Sequence, residues 1–291
     1  MLLTIPEKID LHIHTTVSDG TDTPRELLKK IESSPLGVFA VTDHDAISAC
    51  ADIAKRLTSE SPAFICGVEF SCQDDLGKYH ILGYGYDPEL PAVKNVVSHG
   101  HMLRLEKTMK RLDFLKEEFG FEFTEEEIMA LLKNDNPGKP HIANMMVKKG
   151  YALTKEDAIE NYLNKRHFKN EHLLPEEAIK AVLEGGGIPV LAHPSFGSGE
   201  ELIVGREMEE RLKRLIGFGL QGIEAYYSGF DRELHEENIA LAEKYDLYIT
   251  AGSDYHGKNK TVPLGHTNLA DARRAEEGLK RFLNDVRIIR S

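Results

Sequence analysis

The stretch Asp10-Leu11-His12-Ile13-His14, followed by Asp19-Gly20, is the most informative part of this chain. Side chains of a β-strand alternate between its two faces, so His12 and His14 on a strand project to the same side. Two imidazoles with a carboxylate in the next turn are ligands suited to a divalent metal ion. The motif therefore predicts a metal site at the end of the first strand.

Apolar runs of strand length recur along the chain and alternate with helical patterns. Several runs are nearly continuous in apolar residues, which is typical of parallel strands covered on both faces. Seven such strands separated by helices indicate a parallel α/β sheet closed into a barrel, a fold for which 291 residues is an ordinary length. The predicted strands span residues 9–14, 38–42, 64–70, 79–83, 188–192, 222–226 and 248–251.

Ionisable side chains lie at or near an end of every predicted strand except the sixth. In a parallel barrel the carboxyl ends of the strands meet at one face, which holds the active site. Burial of six histidines and three carboxylates together is costly unless cations compensate it. Nine ligands are too many for one ion, so the set predicts two or three divalent ions that share a bridging carboxylate. The nine residues are His12, His14, Asp19, His44, Glu69, His80, His193, Asp254 and His256.

Composition and charge exclude several classes of protein. The net charge of −12 argues against a broad nucleic-acid-binding face and a stable nucleic-acid complex. No apolar run approaches the roughly 18 residues of a membrane span, and no signal peptide precedes the first strand, so no membrane partner is expected. Three cysteines at unpatterned spacing are typical of reduced thiols. We therefore expect a cytoplasmic protein.

Residues 91–170 interrupt the alternation of strands and helices. Helical patterns cover residues 92–119, 124–133, 141–149 and 154–164, between the fourth and fifth strands. The segment holds 14 basic and 12 acidic residues, against the acidic balance of the rest. We expect residues 1–90 and 171–291 to form the metal-binding barrel and residues 91–170 to form a helical insertion that acts as a lid or substrate domain.

Taken together, the motifs resemble the PHP family, the polymerase and histidinol phosphatase domain. The resemblance implies a distorted (β/α)7 barrel with a trinuclear site. One ion would be held by His12, His14, Glu69 and Asp254; Glu69 would bridge to a second ion held by His80 and His193; Asp19, His44 and His256 would hold a third. Family members use manganese, zinc or iron, and this mixed ligand set does not choose among them. The matching motifs are Asp10-Leu11-His12-Ile13-His14, Ser18-Asp19-Gly20, Thr42-Asp43-His44-Asp45, Gly67-Val68-Glu69, Ala192-His193-Pro194 and Gly252-Ser253-Asp254-Tyr255-His256.

More narrowly, the chain is similar to the stand-alone bacterial branch that hydrolyses nucleoside 3′,5′-bisphosphates or trims RNA from the 5′ end. That branch carries a helical insertion with a Pro-His motif, here Gly138-Lys139-Pro140-His141. The resemblance implies hydrolysis of a phosphomonoester of a small nucleotide, or of an RNA 5′ end, by metal-activated hydroxide. Glu69 and Asp254 would then be catalytic as well as metal ligands.

Residues beyond the metal ligands are candidates for substrate contacts. Arg104 and Lys107 share one face of the long predicted helix and, with Lys139 and His141, are expected to form a lid on the substrate phosphate; the alternative for each is a solvated surface position. Lys139 stands where relatives often have arginine, and it cannot bind phosphate in a bidentate way. Tyr227 and Ser228, at the end of the sixth strand, are candidates for contact with a base or sugar.

Several further histidines and acids have two interpretations. His235 is expected either to bind phosphate or protonate the leaving group, as a catalytic residue, or to lie on the surface. Asp10 and Asp43 are expected either to orient a ligand imidazole or to stabilise a turn, and Asp45 to cap the next helix. Five histidines are interpreted as surface residues: His99, His101, His167, His172 and His266.

Two alternative functions stay open at this stage. A histidinol-phosphate phosphatase shares the barrel and its ligands, although the insertion with Lys139-Pro140-His141 favours the nucleotide branch. A non-catalytic metal-binding regulatory module is the alternative from another class. Loss of ligands would favour that module, and all nine positions carry the expected residue type.

Overall fold

A single seven-stranded sheet with strand order β1 to β7 forms the centre of the protein. The computed structural model describes residues 8–134, 137–166, 168, 172–197, 201–269 and 276–290. All seven predicted strands are present, although the first is shorter than expected. They are β1 Ile9–Asp10, β2 Val38–Val41, β3 Ala63–Gln73, β4 Lys78–Tyr84, β5 Ile188–Leu191, β6 Gly222–Tyr227 and β7 Tyr248–Gly252.

The sheet is mixed, so the expectation of an all-parallel sheet is wrong at one strand. β4 runs antiparallel to both of its neighbours, β3 and β5. Only four residues join β3 to β4, which suffices for a hairpin but not for the crossover that a parallel pair needs. The reversal brings the start of β4 to the face where the parallel strands end. This is the distortion of the barrel, and it carries His80 to the same rim as the other predicted ligands.

The sheet closes nearly into a barrel between its first and last strands. The backbone N–H of Leu11 donates to Ala251 at 2.9 Å, and Asp254 donates to His12 at 2.9 Å. Beyond β1 the chain makes an isolated bridge between Ile13 and Tyr255 rather than a continuous strand. The predicted barrel class is therefore confirmed, with an irregular first strand whose loops approach those after β7.

Helices follow most strands and cover the barrel. Thr23 and Glu26 form the expected capping box at the start of α1, and Asp231 caps α9. Within the described residues no helix is both long and apolar enough to cross a bilayer. The helices are α1 Pro24–Glu32, α2 Ser48–Ala54, α3 Pro91–Phe119, α4 Glu125–Leu132, α5 Lys139–Lys148, α6 Lys155–Ala158, α7 Pro175–Glu184, α8 Gly205–Phe218, α9 Arg232–Lys244 and α10 Glu276–Asp285.

The helices α3 to α6 lie between β4 and β5, in the segment for which an insertion is predicted. The fourth predicted helix is shorter than expected and continues as a π-helical turn over Ile159–Leu163. Apolar side chains from the C-terminal half of α3 and from α4 to α6 form a cluster separate from the barrel core; it includes Leu112, Leu115, Leu131, Ile142 and Met146. The insertion thus has a small core of its own, while the N-terminal half of α3 packs on the barrel.

Candidate metal centre and active site

The strand ends and the loops after them bring all nine predicted ligands to one rim. His12 and His14 follow β1, and Glu69 and His80 face each other across the β3–β4 hairpin. His193 and Asp254 have positive φ values of 25° and 58°. Such backbone conformations are uncommon outside glycine and cluster at functional sites. Here they turn each side chain from its strand towards the centre of the rim.

Glu69 is the central carboxylate of this cluster. It is 1% exposed, and its two oxygens lie within 3.3 Å of nitrogens of five imidazoles. Burial alone would raise the pKa of Glu69, but His44, His80 and His12 together hold it well below its usual range. Glu69 therefore stays ionised and can be shared between ions. The distances are 3.3 Å to His12, 3.1 Å to His14, 3.1 Å to His44, 2.8 Å to His80 and 3.2 Å to His193.

Glu224 is a candidate functional residue that the sequence interpretation missed. It lies on β6, the strand expected to supply neither a histidine nor a carboxylate, and it is fully buried. One oxygen accepts from Nδ1 of His12 at 3.0 Å, and the other accepts from the backbone N–H of His193 at 2.7 Å. A Cβ on Gly252 would lie 2.2 Å from the Glu224 carboxylate, so glycine is needed there for this approach. The signal in the sequence was a lone acid inside an otherwise apolar strand.

Hydrogen bonds at Nδ1 determine the tautomers of three of the predicted ligand histidines. A carboxylate or carbonyl oxygen only accepts, so Nδ1 of His12 donates to Glu224 and Nδ1 of His256 donates to the backbone oxygen of Asp254 at 2.8 Å. The Ser18 hydroxyl donates to Asp43 and accepts from Nδ1 of His14 at 3.3 Å. In the neutral form each ring therefore carries its lone pair on Nε2, the atom that faces the other ligands.

These Nε2 atoms test whether the residues fit a metal. Nε2 of His12 and of His14 are buried and face the carboxylate of Glu69, and neither has a hydrogen-bond partner among the residues that the structure describes. A lone pair that faces a carboxylate is unfavourable unless a positive charge lies between them. Without a cation that charge is a proton: burial lowers the pKa of His14, but Asp254 and Glu69 raise it to about 9. The donor set of imidazoles and carboxylates fits divalent metals well.

Most of the predicted ligands form three overlapping groups of potential donors. In each group the donor atoms lie within 4.8 Å of one another. His14 belongs to two groups and His44 to two, so His44 lies beside Glu69 and His80 as well as beside Asp19. His193 adjoins the group that contains His80, since its Nε2 is 3.2 Å from Nδ1 of His80. The groups are His14, Asp19, His44 and His256; His12, His14 and Asp254; and His44, Glu69 and His80.

Asp254 has a second set of contacts away from the histidines. Its Oδ1 faces His12 and His14 at 3.7 and 3.4 Å, whereas its Oδ2 accepts from the Tyr227 hydroxyl at 2.9 Å and from Lys260 at 2.5 Å. Burial would raise the pKa of Asp254, but Lys260 and His12 hold it well below its usual range. Lys260, which the sequence interpretation did not consider, therefore helps keep this predicted ligand ionised.

Asp10 and Asp43 stabilise the loops around the ligands. Asp10 accepts from the backbone N–H groups of Ser253 and Gly265, at 2.9 and 2.7 Å, and so ties the start of the barrel to the segment after β7. Asp43 accepts from Thr15 and from Ser18, each at 2.7 Å. Asp10 therefore has the turn-stabilising role, while Asp43 acts on the imidazole of His14 through Ser18.

A cavity of about 570 Å³ opens between the rim that carries the predicted ligands, called the ligand rim below, and the insertion. Asp19, His44 and His80 line it on the barrel side. The other walls carry basic side chains, whose positive charge attracts anions. They are Lys78, Arg104, Lys107, Arg111, Lys139 and Arg166, with His141 and His172 among them.

Arg104 is fixed in this cavity by two partners. Its guanidinium bonds Asp45, with the closer contact at 2.5 Å, and donates to the Ser71 hydroxyl at 2.8 Å. The sequence predicted that Asp45 caps α2, and this prediction is wrong. Asp45 instead holds Arg104. Gly100, one turn earlier on α3, lets the helix pass close to Asp45, since a Cβ there would lie 3.3 Å from that side chain.

Lys139 and His141 lie at the N-terminus of α5, where it meets the cavity. Lys139 donates to the Asn164 side chain. Nδ1 of His141 accepts the backbone N–H of Gly138 at 3.2 Å, so its Nε2 carries the hydrogen in the neutral ring. Burial, Arg104 and Lys155 lower the pKa of His141 against the opposing effect of Asp19. His141 is thus a neutral hydrogen-bond donor with its ring in the cavity wall.

His172 differs from the surface position expected for it. It lines the cavity, and its Nε2 lies 2.5 Å from Nζ of Lys107. Burial, Lys107 and Lys78 lower the pKa of His172 to about 3, so the ring accepts from Lys107. Of the other histidines interpreted as surface residues, His99 and His266 are exposed, His101 is half-buried, and His167 lies outside the described residues.

Tyr227, Ser228 and His235 lie outside the set of residues that line this cavity. The Ser228 hydroxyl donates to the backbone of Ser253 at 2.8 Å. His235 is 2% exposed, which excludes the surface alternative, and its Nε2 donates to the backbone oxygen of Tyr227 at 3.2 Å. The structure therefore places His235 behind the end of β6 and Tyr227 against Asp254.

Comparison with known proteins identifies the class. Residues 10–167 match the PHP domain family. A phosphoribosyl 1,2-cyclic phosphate 1,2-diphosphodiesterase of Eggerthella lenta is 30% identical over 268 residues, which cover 87% of this chain and 96% of the relative. This chain belongs to the PHP family, as its sequence motifs predicted.

Two further relatives have the activities of the predicted branch. A 3′,5′-nucleoside bisphosphate phosphatase of Chromobacterium violaceum is 28% identical and covers 89% of this chain and 91% of its own length. A 5′-3′ exoribonuclease Rnm of Salmonella typhimurium is 28% identical, and the match covers 88% of this chain and 87% of the relative. These relatives are hydrolases of phosphate esters, which confirms the predicted enzyme class and disfavours the non-catalytic module.

The solved structures agree with this assignment. A protein of Bifidobacterium adolescentis that is provisionally classed as a metal-dependent phosphoesterase has a TM-score of 0.78 and 27% identity, with 96% of this chain and 97% of that chain covered. The chain is thus a metal-dependent phosphoesterase with the barrel expected for it.

Proposed function

We propose that this enzyme hydrolyses a phosphomonoester of a small nucleotide that carries a second phosphate, of the nucleoside 3′,5′-bisphosphate type. The observation that supports this most is the cavity, which joins the ligands His44 and His80 to a wall of basic side chains. If one phosphate of the substrate binds at the ligand rim, Arg104 and Lys107 in the cavity wall are available to bind a second phosphate. The bisphosphate phosphatase relative has the matching activity.

The cofactor we propose is two or three divalent ions, of manganese, zinc or iron. His12, His14, Glu69 and Asp254 would hold one, Glu69 with His80 and His193 a second, and Asp19, His44 and His256 a third. His14 and His44 lie close enough to adjacent groups to be shared. When bound, such ions activate water for attack and offset the charge of the phosphate oxygens.

The residues of the chain orient the substrate around that centre. The Arg104 guanidinium, fixed by Asp45 and Ser71, presents donors to a phosphate oxygen. His141, in the first turn of α5, presents its Nε2–H as a neutral donor in the wall of the same cavity. Lys107 supplies a charge next to the neutral His172. Tyr227 and Lys260 hold Asp254, and we assign Glu69 and Asp254 the catalytic positions.

Three other substrates define the alternatives. The exoribonuclease relative supports action on an RNA 5′ end, and the Eggerthella relative supports a phosphoribosyl cyclic phosphate. Histidinol phosphate is the third. We expect only transient contact with nucleic acid, given the net charge of −12, and a cytoplasmic location, since Cys50, Cys66 and Cys72 are buried and free.

Phosphate release from matched substrates tests the proposal. With added Mn²⁺, we expect turnover of adenosine 3′,5′-bisphosphate to exceed that of histidinol phosphate and of the cyclic sugar phosphate by at least tenfold. Hydrolysis of a 5′-phosphorylated oligonucleotide, measured in the same way, distinguishes action on an RNA 5′ end from action on the small bisphosphate. A preference for histidinol phosphate or for the cyclic sugar phosphate would overturn the proposal.

Lys107→Met tests the second phosphate separately. The substitution removes one positive charge from the cavity and keeps the apolar stem of the side chain. We expect KM for the bisphosphate to rise about tenfold, because one charge-assisted hydrogen bond is lost. KM for an aryl monophosphate is expected to stay unchanged. Lys116→Met, on the same helix but exposed and outside the cavity, is the matched control.

A further inference from the structure

The helix α3 follows the cavity from the ligand rim outwards. Gly100, Arg104, Lys107 and Arg111 are spaced by three or four residues, and all four line the cavity. Arg104 marks the inner end, because it bonds Asp45 next to His44. At a rise of 1.5 Å per residue, Arg111 lies roughly 10 Å further along the axis of α3, towards the C-terminal half that packs in the insertion.

The outer end of this face has a different chemistry. Phe168 lines the cavity and is half-buried; among the described residues of the cavity wall it contributes the one aromatic ring apart from the histidines. The Arg166 guanidinium carbon lies 5.5 Å from the centre of the Phe168 ring and 5.6 Å from that of Phe114, a residue of α3 that is 7% exposed. Arg166 therefore connects Phe168 to a buried ring.

We propose that Phe168, held by Arg166, is the surface on which the base of the substrate stacks. Aromatic rings and guanidinium groups offer flat faces to bases, and their stacking tolerates different bases. Basic side chains along α3 would bind phosphate between the ligand rim and this surface. The proposal rests on the proposed function and narrows it, because it requires a base and so selects nucleotides over sugar phosphates without one.

The experiment compares two substrates that differ only in the base. Phe168→Ala is expected to raise KM for adenosine 3′,5′-bisphosphate about tenfold with little change in kcat, since the lost contact is equal in ground and transition states. KM for ribose 3,5-bisphosphate, which has no base, is expected to stay the same. Phe123→Ala is the control, because Phe123 is a half-buried aromatic residue of the insertion outside the cavity wall.

A second variant gives a direct readout of binding. The chain has no tryptophan, so Phe168→Trp introduces a single fluorescent indole. Adenosine 5′-monophosphate is expected to quench this fluorescence and ribose 5-phosphate to leave it unchanged. Equal KM changes for the two bisphosphates, or no difference in quenching between the two monophosphates, would overturn the base site. If the wild type released phosphate from neither bisphosphate, the proposed function would fail instead, whatever the fluorescence showed.

Discussion

Glu224 accepts a hydrogen bond from Nδ1 of His12 at 3.0 Å, although the two residues are 212 positions apart in the chain. The bond leaves the lone pair of His12 on Nε2, and the second oxygen of Glu224 holds the backbone of His193. Carboxylates behind ligand histidines orient the ring and increase its basicity. Glu224 is therefore a positioning residue for two predicted ligands.

Replacement of Glu224 by Gln tests that role. The amide keeps one acceptor but turns an NH₂ group towards a donor, so one of its two bonds is lost. We expect the affinity for Mn²⁺ to fall about 10–100-fold. Calorimetric titration of the metal-free protein measures it, and Glu233→Gln, an exposed acid on α9, is the control. Unchanged affinity would mean that Glu224 has only a structural role.

Glu69→Gln is expected to lower kcat for an aryl phosphate more than 100-fold. The side chain lies near five imidazoles, and the loss of its charge removes the group that separate ions would share. Metal analysis of the purified variant should show fewer ions per chain. Near-normal turnover at full metal content would refute the bridging role. Glu210→Gln, which alters an exposed pair with Arg206, serves as control.

Removal of metal is expected to lower the melting temperature as well as activity. An ion at 100 times its Kd contributes about 2.7 kcal/mol to the folded state, which corresponds to roughly 4–5 °C in a chain of this size. Scanning calorimetry before and after chelation, and after addition of Mn²⁺, measures the shift. An unchanged melting temperature in protein shown to be metal-free would contradict the idea that cations offset repulsion between the ligands.

The lowered pKa of His172 predicts that the folded protein loses stability at acidic pH. Burial and the cations Lys107 and Lys78 lower its folded-state pKa to about 3, whereas the unfolded value is about 6.5. Below pH 6.5 the unfolded chain therefore binds a proton that the folded chain does not, and the free energy of unfolding falls. Between pH 7 and 5 the wild type should lose about 1–2 kcal/mol more than His172→Gln.

Urea unfolding at several pH values measures this difference. His99→Gln is the matched control, because the His99 ring is 45% exposed and lies outside the cavity wall. Parallel pH curves for the wild type and His172→Gln would show that His172 accepts a proton in the folded protein.

The local pattern of the chain was sufficient for much of this protein. The first motif predicted that His12 and His14 lie together, although both follow β1 rather than lie on it, and seven apolar runs predicted seven strands. The capping box at Thr23 and the helical insertion followed from residues close in sequence. These features depend on interactions over a few residues, so a single sequence contains them.

Other features depended on how distant segments meet. The reversal of β4 carries His80 to the ligand rim, because the short hairpin after β3 cannot cross over. Barrel closure brings Glu224 to His12, and packing of α3 on the barrel pairs Arg104 with Asp45 and Lys107 with His172. Those partners lie from 59 to 212 positions apart. Period and composition predict which face a residue occupies, but the residue opposite it is set by the whole barrel and its insertion.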